Sequence, residues 1–393
     1  MPRPVFLPDG RSRHSRPGVV AALAVLSLAV TAATVLPAAM PATPVSKSAP
    51  MPVPAATAGS PEVTEVLLQP ASPVRSRLNA GERASTPPLL GLHVPWADGA
   101  NRWDANRTVI SGPEPWPDFP VGGVRLWDTR TTWAHVEPHD NQWQFTVLDA
   151  HVAAAHQAQV PDVLLVLGGT PAWAAQRPDA AGAPWLPVGS ASPPRSIADW
   201  RDYVRTVADR YRGRIDVYQV GNEPNYWWFW QGSPREMTRM GAVAGAEIGK
   251  VDPTAMVVGP GPVVTDAASV ARARAWWRVM AGTGVDALTL QWYPARGTRP
   301  AELTDMVSLL RRQVAGTDVA GAPVWITEVN HDRRGQAARL VRGTMRAAEQ
   351  ARVERVYWYA WTTILTPTLL PLHAGSPAGK ALARYAHTAP SPA

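Results

Sequence analysis

Cysteine is absent from the 393 residues of this chain, and charged residues make up only 18% of them. Without cysteine there are no disulfide bonds, thiolate zinc sites, iron–sulfur clusters or cysteine nucleophile. The nine histidines are scattered, with no HExxH motif or close pair, so a structural metal site is not expected. Since no GxGxxG or P-loop pattern follows an apolar run, the doubly wound open sheet is the less favoured α/β alternative.

Positive charge is not concentrated in the larger part of the chain. Residues 1–88 hold eight basic and four acidic residues, whereas residues 89–393 hold 30 and 27. A nucleic-acid binder concentrates its basic residues on one face or stripe, and no such run occurs in residues 89–393. Nucleic acid is therefore not an expected partner, although the formal net charge of the whole chain is +7.

The first 40 residues have the pattern of an export signal. Four arginines precede residues 19–39, which run without a charge. This stretch is long for a signal peptide and just long enough to span a bilayer, which takes about 20 residues. The cleavage candidates, residues 31–33 and 36–38, are weak. A cleaved signal peptide (residues 1–40) and a retained membrane tether through residues 19–39 both stay open, and either one places the rest of the chain outside the cytoplasm.

Residues 41–88 are rich in Pro, Ala, Ser and Thr and have no sustained hydrophobic period, so a semi-extended linker is expected there. Every tryptophan lies between Trp96 and Trp361, and the folded domain is therefore expected to cover residues 89–388. The hydrophobic share of 46% is sufficient for a full-sized core.

Eight short apolar runs in this domain alternate with longer amphipathic segments. The predicted strands are Leu89–Val94, Gly123–Trp127, Val163–Leu167, Val217–Val220, Met256–Gly259, Ala287–Gln291, Val324–Thr327 and Val356–Ala360. The predicted helices include Phe145–Gln159, Ile197–Tyr211, Ser233–Lys250, Ala267–Ala281, Ala301–Val314 and Gly335–Gln350. This alternation predicts an α/β fold, a single (β/α)8 TIM barrel. Residues 97–120 are the exception, because Gly, Asn and Pro replace a clear first helix there.

Two glutamates lie at the ends of two of these runs. Glu223 follows the fourth run, and Glu328 follows the seventh. The carboxyl ends of all strands of a (β/α)8 barrel meet at one mouth, where catalytic residues lie. Glycoside hydrolysis needs two carboxyl groups, one as proton donor and the other as nucleophile or base. The structural alternative is that each glutamate pairs with an arginine at the barrel rim.

The segments around these glutamates resemble a known enzyme family. The string NEPNYWWFW at Asn222–Trp230 is similar to the NEPN…FW signature of glycoside hydrolase family 39, in clan A, and Trp325–Asn330 resembles its ITE-type nucleophile strand. The resemblance covers roughly residues 89–365. It implies a retaining hydrolase of β-glycosidic bonds with Glu223 as general acid/base and Glu328 as nucleophile, their carboxyl groups about 5–5.5 Å apart.

The resemblance also implies roles for three neighbouring polar residues. Asn222 would hydrogen-bond the sugar 2-hydroxyl, and Tyr293 would hydrogen-bond the nucleophile. Arg125 would lie beneath the nucleophile and hold it ionised, since an opposite charge favours the carboxylate form. The negative Glu328 would then raise the pKa of Glu223, as the proton donor requires. A plain barrel salt bridge is the alternative role for Arg125.

Other matches concern the sugar pocket. Trp361, at the end of the eighth strand, matches an aromatic floor, and Trp173 matches an exposed tryptophan after the third strand. Gln291 replaces the usual histidine of the sixth strand, and Gly221 replaces a tryptophan that often precedes the NEP triplet. These two departures leave the sugar preference open. Ordinary packing is the alternative for Trp361 and Tyr293.

The tryptophans divide by position. Trp227, Trp228 and Trp230 directly follow Glu223 and are candidates for stacking on sugar rings. Four others, near the first three strand ends, are candidates for either stacking or core packing: Trp96, Trp127, Trp133 and Trp173. Trp200, Trp276 and Trp277 lie on helical patterns and are expected to pack against the barrel. Glu137, beyond the second strand, is expected to be structural.

These features predict an exported or membrane-tethered retaining glycoside hydrolase. It needs no cofactor or metal and acts as a monomer on an oligo- or polysaccharide. Two alternatives stay open, namely a transglycosylase that uses the same residues and a non-catalytic surface protein that binds polysaccharide. The sugar, the linkage and the choice between endo and exo action depend on loop shape.

Overall fold

The computed structural model describes residues 87–95, 102–103, 109–111, 116–332, 336–362 and 368–388, and of 102–103 and 109–111 only the backbone. The predicted export segment, nearly all of the predicted linker and Trp96 lie outside these residues. Among the helices described, none combines the length and the hydropathy that crossing a bilayer requires.

The described residues form eleven strands and eight helices. The strands are β1 (Leu89–Leu92), β2 (Arg102–Trp103), β3 (Val109–Ser111), β4 (Gly123–Leu126), β5 (Val163–Leu167), β6 (Val217–Val220), β7 (Met256–Val258), β8 (Val263–Val264), β9 (Leu288–Trp292), β10 (Val324–Val329) and β11 (Val353–Trp358). The helices are α1 (Trp133–Val136), α2 (Thr146–Gln157), α3 (Ile197–Arg210), α4 (Pro234–Val251), α5 (Ala267–Arg278), α6 (Glu302–Gln313), α7 (Ala337–Gln350) and α8 (Pro377–Thr388).

Nine of the strands form one parallel sheet in the order β7-β6-β5-β4-β1-β11-β10-β9-β8. Its two edge strands, β7 and β8, are consecutive in the chain. Hydrogen bonds also join β7 to the segment before β9, from Asp286 N to Val257 O (2.7 Å) and from Gly259 N to Ala287 O (3.2 Å). The sheet thus curls back towards itself, which gives a TIM-barrel-like α/β fold.

Alternate side chains of the strand β5 pack into two different cores. On β5, Val163, Leu165 and Leu167 pack in the cluster shared with the helices, whereas Leu164 and Val166 pack in a second cluster inside the curled sheet. Successive side chains of a strand point to opposite faces, so a strand covered on both faces is apolar throughout. The continuous apolar runs of the sequence have this cause.

All eight predicted strands and all six predicted helices are present, with bounds shifted by a few residues. Five elements lie outside that prediction, namely the strand β8, the two strands of the antiparallel pair β2–β3, and the helices α1 and α8. The pair β2–β3 lies where the sequence lacks a helical pattern. Helix α8 closes the domain, since Tyr385 Oη donates to Pro88 O at 3.0 Å, just before β1.

Candidate active site

Arg125 is the centre of a buried hydrogen-bond network inside the curled sheet. Its neighbours Val124 and Leu126 face the helices, so the alternation of β4 directs the Arg125 side chain inwards. Its guanidinium group donates to Glu328 Oε1 at 2.5 Å, to Asn222 Oδ1 at 2.7 Å and to Gln219 Oε1 at 2.9 Å. Arg125 and Glu328 thus form a buried salt bridge, the contact that both predicted roles of Arg125 share.

A β-bulge in β10 directs Glu328 into this network. The register against β9 pairs Ile326 with Leu290 and Glu328 with Gln291, so Thr327 is an extra residue on β10. By strict alternation Glu328 would share the helix-facing side of Val324 and Ile326. An extra residue reverses that alternation, and bulges are frequent beside active sites for this reason. Glu328 consequently reaches Arg125 in the interior.

The Glu328 carboxylate is held on both of its oxygens. Arg125 donates to Oε1, and the Tyr293 hydroxyl group donates to Oε2 at 2.7 Å. Burial, reinforced by the charge of Glu328, raises the pKa of Tyr293 well above its ordinary value, so this hydroxyl group stays protonated as a donor. These two donors fix the orientation of the Glu328 carboxyl group.

The turn after β6 places Glu223 in a strained backbone conformation. Gly221 has φ 79° and Glu223 has φ 39°, both in the left-handed region. That region is uncommon for a residue with a Cβ and is concentrated at functional sites. The Glu223 amide donates to Gly261 O at 3.2 Å, which ties the turn to the segment between β7 and β8. A Cβ at position 261 would lie 2.8 Å from Thr327 Oγ1, so the close approach requires glycine.

Glu223 differs from Glu328 in its electrostatic environment. Its side chain is 8% exposed, and within the described residues its carboxyl group forms no hydrogen bond. Burial raises the pKa of Glu223 well above the ordinary 4.5, the negative charge of Glu328 raises it further, and Arg125 only partly offsets both. The two carboxyl groups therefore lie in unequal environments, and the raised pKa favours the protonated form of Glu223.

Asn222 is oriented by two donors. Arg125 and Gln291 Nε2 both donate to its Oδ1, the latter at 2.6 Å. Because arginine carries only donors, the Asn222 atom that faces it is the oxygen. The Nδ2 group is then left to donate elsewhere, as the predicted contact with a sugar hydroxyl requires. Gln291 itself is completely buried, so it acts on Asn222 and not at the surface of the cleft.

Comparison with known proteins gives a partial match to a xylanase. No family model matches the chain. It is 27% identical over 137 residues to endo-1,4-beta-xylanase B of Thermotoga neapolitana, which is 34% of this chain and 35% of the xylanase. The match therefore spans about a third of that relative's length.

Solved structures of glycoside hydrolases share the fold. The GH39 enzyme from Xanthomonas axonopodis pv. citri has a TM-score of 0.54 and 16% identity, covering 79% of this chain and 69% of that chain. The GH39 beta-xylosidase from Caulobacter crescentus has a TM-score of 0.53 and 16% identity, covering 82% and 74%. A termite-gut GH10 xylanase with a bacterial Ig-like domain has a TM-score of 0.53 and 13% identity, covering 81% and 80%. These likenesses show that the chain shares the fold of those three enzymes.

Aromatic side chains lie on the loop that follows Glu223. Trp227 is 56% exposed and packs edge-on against the half-buried Trp228, with ring centroids 5.6 Å apart. Trp185, from the long connection between β5 and α3, is 44% exposed and lies 6.1 Å from Trp228. Trp185 was not predicted, because a tryptophan 18 positions beyond a strand gives no signal of its own in the sequence. Trp230, by contrast, is buried.

The remaining sequence-predicted aromatic residues are more enclosed. Trp361 lies three residues beyond β11, is 2% exposed and packs edge-on against Phe119, with centroids 5.4 Å apart. Trp173 is half-buried, and its Nε1 donates to Glu137 O at 2.9 Å. The sugar contacts of both stay predictions. Four other tryptophans, Trp127, Trp133, Trp200 and Trp277, are buried, which confirms the packing expected for the last two.

Glu137 has the structural role expected of it. Its carboxylate accepts hydrogen bonds from Trp133 Nε1 at 2.8 Å and from Asn141 N at 3.0 Å. Trp133 Nε1 has no acceptor within the helix that begins with it, so Glu137 satisfies a buried donor. This carboxylate therefore supports the loop after β4.

Two inward-facing residues of the network were not predicted from the sequence. His93 directly follows β1, and its Nε2 lies 3.2 Å from Arg125 Nη1. Gln219, the third residue of β6, accepts from Arg125 Nε. A polar residue within or directly after an otherwise apolar run is the signal that could have revealed both. Within the described residues, no group of three or more His, Asp or Glu side chains is arranged to hold a metal ion.

Proposed function

We propose that this chain is a retaining glycoside hydrolase that cleaves β-glycosidic bonds of an extracellular or cell-surface glycan by double displacement, within a (β/α)8 domain. The observation that carries the proposal is the asymmetry of the two buried glutamates. Glu328 accepts from Arg125 and Tyr293, whereas the pKa of Glu223 is raised beside it. Pairs of titratable groups pushed apart in pKa identify the acid and the base of a mechanism.

In the first step, the Glu328 carboxylate attacks the anomeric carbon of the sugar. The bond from that carbon to the glycosidic oxygen breaks, and the leaving oxygen takes the proton of Glu223. Asn222 donates to the sugar 2-hydroxyl group, a contact that strengthens in the transition state. The products of this step are a glycosyl ester on Glu328 and a free alcohol.

In the second step, Glu223, now a carboxylate, removes a proton from water. The oxygen of that water attacks the anomeric carbon, and the bond to Glu328 breaks. Both glutamates return to their starting protonation states, and the sugar keeps its anomeric configuration. A separation of about 5–5.5 Å between the carboxyl groups belongs to this mechanism. No cofactor takes part.

The location of the enzyme is part of the proposal. Residues 1–40 carry the basic and uncharged segments of an export signal or tether, and residues 41–88 have the composition of a spacer. A chain held in this way would act outside the cytoplasm, as a monomer. Fractionation of expressing cells, with sizing of the released or solubilised chain, tests both points.

The central experiment measures new reducing ends released by the full chain from aryl β-glycosides and polysaccharides, with β-xylosides first because the relatives are xylanases and a xylosidase. Glu223→Gln and Glu328→Gln are assayed alongside. We expect release by the unaltered chain and a loss of at least about 1000-fold in each variant. A 2-deoxy-2-fluoro glycoside should label the unaltered chain on Glu328, seen as a mass increase on the peptide that contains it.

Other results would point elsewhere. New oligosaccharides that accumulate without a matching rise in reducing ends identify a transglycosylase. Binding of one glycan by all three proteins without turnover identifies a non-catalytic binding protein. Full activity of Glu328→Gln would overturn the assignment of the nucleophile.

A further inference from the structure

A groove of about 890 Å³ is lined by the loop after β9 and by α7, and neither of the paired glutamates lines it. One wall is the loop Pro294–Ala301, which leaves the sheet directly after Tyr293. The other wall is one face of α7, and residues 331–332, close after Glu328, complete it. Both walls begin soon after the strands β9, which Tyr293 directly follows, and β10, which carries Glu328, and α7 extends the groove from there as far as Gln350.

The groove is lined by five arginines and, among its described residues, a single carboxylate, Asp332. The arginines are Arg296, Arg299, Arg339, Arg342 and Arg346. Arg299 lies 3.6 Å from Glu302 across the loop, in an exposed pair. Within the described part of the chain, the other four form no ion pair or hydrogen bond through their side chains. Burial lowers the pKa of the lining His331 to about 3, so the positive charge of the groove comes from the arginines.

Three of these arginines form a row along α7. Arg339, Arg342 and Arg346 are spaced by three and four residues, which places them on one face over about 10 Å of helix. Like charges at this spacing disfavour a helix. The described residues around them offset little of that charge, since Asp332 is the one acidic side chain among the described residues that line the groove. A row of unpaired guanidinium groups suits an extended ligand with repeated anionic groups better than a single ion.

The location of this arginine row favours one class of anionic ligand. A nearly balanced charge over residues 89–393 means that the cluster is a local feature and not the result of a basic surface overall. We infer that the groove binds a glycan chain through its carboxylate or sulfate groups, so that the substrate of the proposed hydrolase is an anionic polysaccharide. This inference rests on the proposed function, because it treats the groove as a continuation of the cleft at Glu223 and Glu328.

The test uses the full chain carrying Glu328→Gln, which binds without turnover. Affinities are measured at constant salt for polygalacturonate, dextran sulfate, neutral dextran and a single-stranded oligothymidylate. The groove variant replaces Arg339, Arg342 and Arg346 with Gln. The matched control replaces Arg272, Arg274 and Arg312, exposed arginines of α5 and α6 that do not line the groove. Both variants lose the same charge.

We expect an anionic glycan to bind and the groove variant to weaken that binding by about tenfold or more, since charge-assisted bidentate contacts are lost. The control variant should stay within about twofold, because net charge alone acts weakly at physiological salt. Preference for polygalacturonate assigns carboxylates, and preference for dextran sulfate assigns sulfate esters. Equal losses in both variants, or tighter binding of oligothymidylate than of either anionic glycan, would overturn the inference.

The same variants with Glu328 intact separate this inference from the proposed function. Turnover of a small neutral aryl glycoside should be unchanged in the groove variant, because the arginines do not line the catalytic network. If the chain turns over the aryl glycoside but the groove variant binds the polymer as well as the unaltered chain does, the groove inference is contradicted and the proposed hydrolase is not. If the groove variant loses polymer binding but the unaltered chain turns over no glycoside, the proposed hydrolase function is contradicted and the groove inference is not.

Discussion

Arg125 donates a 2.5 Å hydrogen bond to Glu328, 203 positions further along the chain. The same guanidinium group donates to Asn222. One buried cation therefore fixes both the proposed nucleophile and the amide proposed to bind the sugar. Because the guanidinium group is planar and presents its donors in a rigid fork, these two acceptors are held in a defined relative position.

Replacing Arg125 with Met should impair both activity and folding. The variant leaves Glu328 buried without its cation, and removing one partner of a buried ion pair costs about 3–5 kcal/mol of unfolding free energy. We expect kcat/KM to fall by at least about 100-fold in the fraction that remains folded. Urea denaturation and steady-state kinetics on an aryl glycoside measure the two effects.

Arg355→Met is the matched control. Arg355 pairs with Asp162, both 3% exposed, near the amino-terminal ends of β11 and β5 and so away from the glutamates. This variant should lose a similar amount of stability, with kcat/KM of the folded protein within about threefold of the unaltered chain. Equal losses of kcat/KM in the two variants would show that Arg125 acts only through stability.

Glu223→Gln should stabilise the chain at high pH. The pKa of Glu223 is higher in the folded than in the unfolded chain, so the folded chain binds more protons and the free energy of unfolding falls as pH rises. Because the Gln side chain does not titrate, the variant does not undergo this decrease in the free energy of unfolding. We expect the variant to melt on the order of a few degrees higher at pH 8, and the two curves to converge below pH 4.5, the ordinary pKa of the group.

Glu236→Gln gives a control of opposite sign. Although burial raises the pKa of Glu236, hydrogen bonds from Ser233 lower it below its ordinary value. Its contribution to stability is present at neutral pH and is lost as pH falls. This variant should therefore melt lower at pH 8. A Glu223→Gln variant that is less stable at every pH would contradict the raised pKa.

Gln291→Leu should reduce activity through Asn222. The change removes one of the two donors to Asn222 Oδ1 and leaves Arg125 in place. A hydrogen bond of about 1–1.5 kcal/mol corresponds to a fall of roughly fivefold to tenfold in kcat/KM. The loss should nearly vanish for a 2-deoxy aryl glycoside, which lacks the hydroxyl group that Asn222 is proposed to bind. An equal loss on both substrates would indicate a purely structural role.

Trp185→Ala should affect long substrates only. Its exposed ring extends the aromatic surface of Trp227 and Trp228. A contact worth about 0.5–1.5 kcal/mol predicts a fall of roughly twofold to tenfold in kcat/KM for a polysaccharide and none for an aryl monoglycoside. Trp276→Ala, a half-buried tryptophan near the end of α5, is the control. This control variant should leave the ratio of kcat/KM for the polysaccharide to kcat/KM for the aryl monoglycoside unchanged.

The sequence predicted the strands well because burial on both faces produces continuous apolar runs. Val163–Leu167 and Val217–Val220 have the predicted bounds, and the helices differ from theirs by at most three residues at either end. The third and fourth strands are bounded by Pro, Gly or charged residues, which make their ends visible. The short β8 was not predicted, because Pro260 and Pro262 interrupt its run.

Local sequence by itself determined the element order and the positions of Glu223 and Glu328 at strand ends, since hydrophobic periodicity and motif residues are properties of neighbouring positions. The bulge at Thr327, the geometry of the contact between Arg125 and Glu328, and the position of the arginine row beside the loop at Pro294 were decided only by the tertiary structure. Each depends on which distant segments lie side by side. Burial and the charges of Glu328 and Arg125, which are far from Glu223 in sequence, then set the pKa of Glu223.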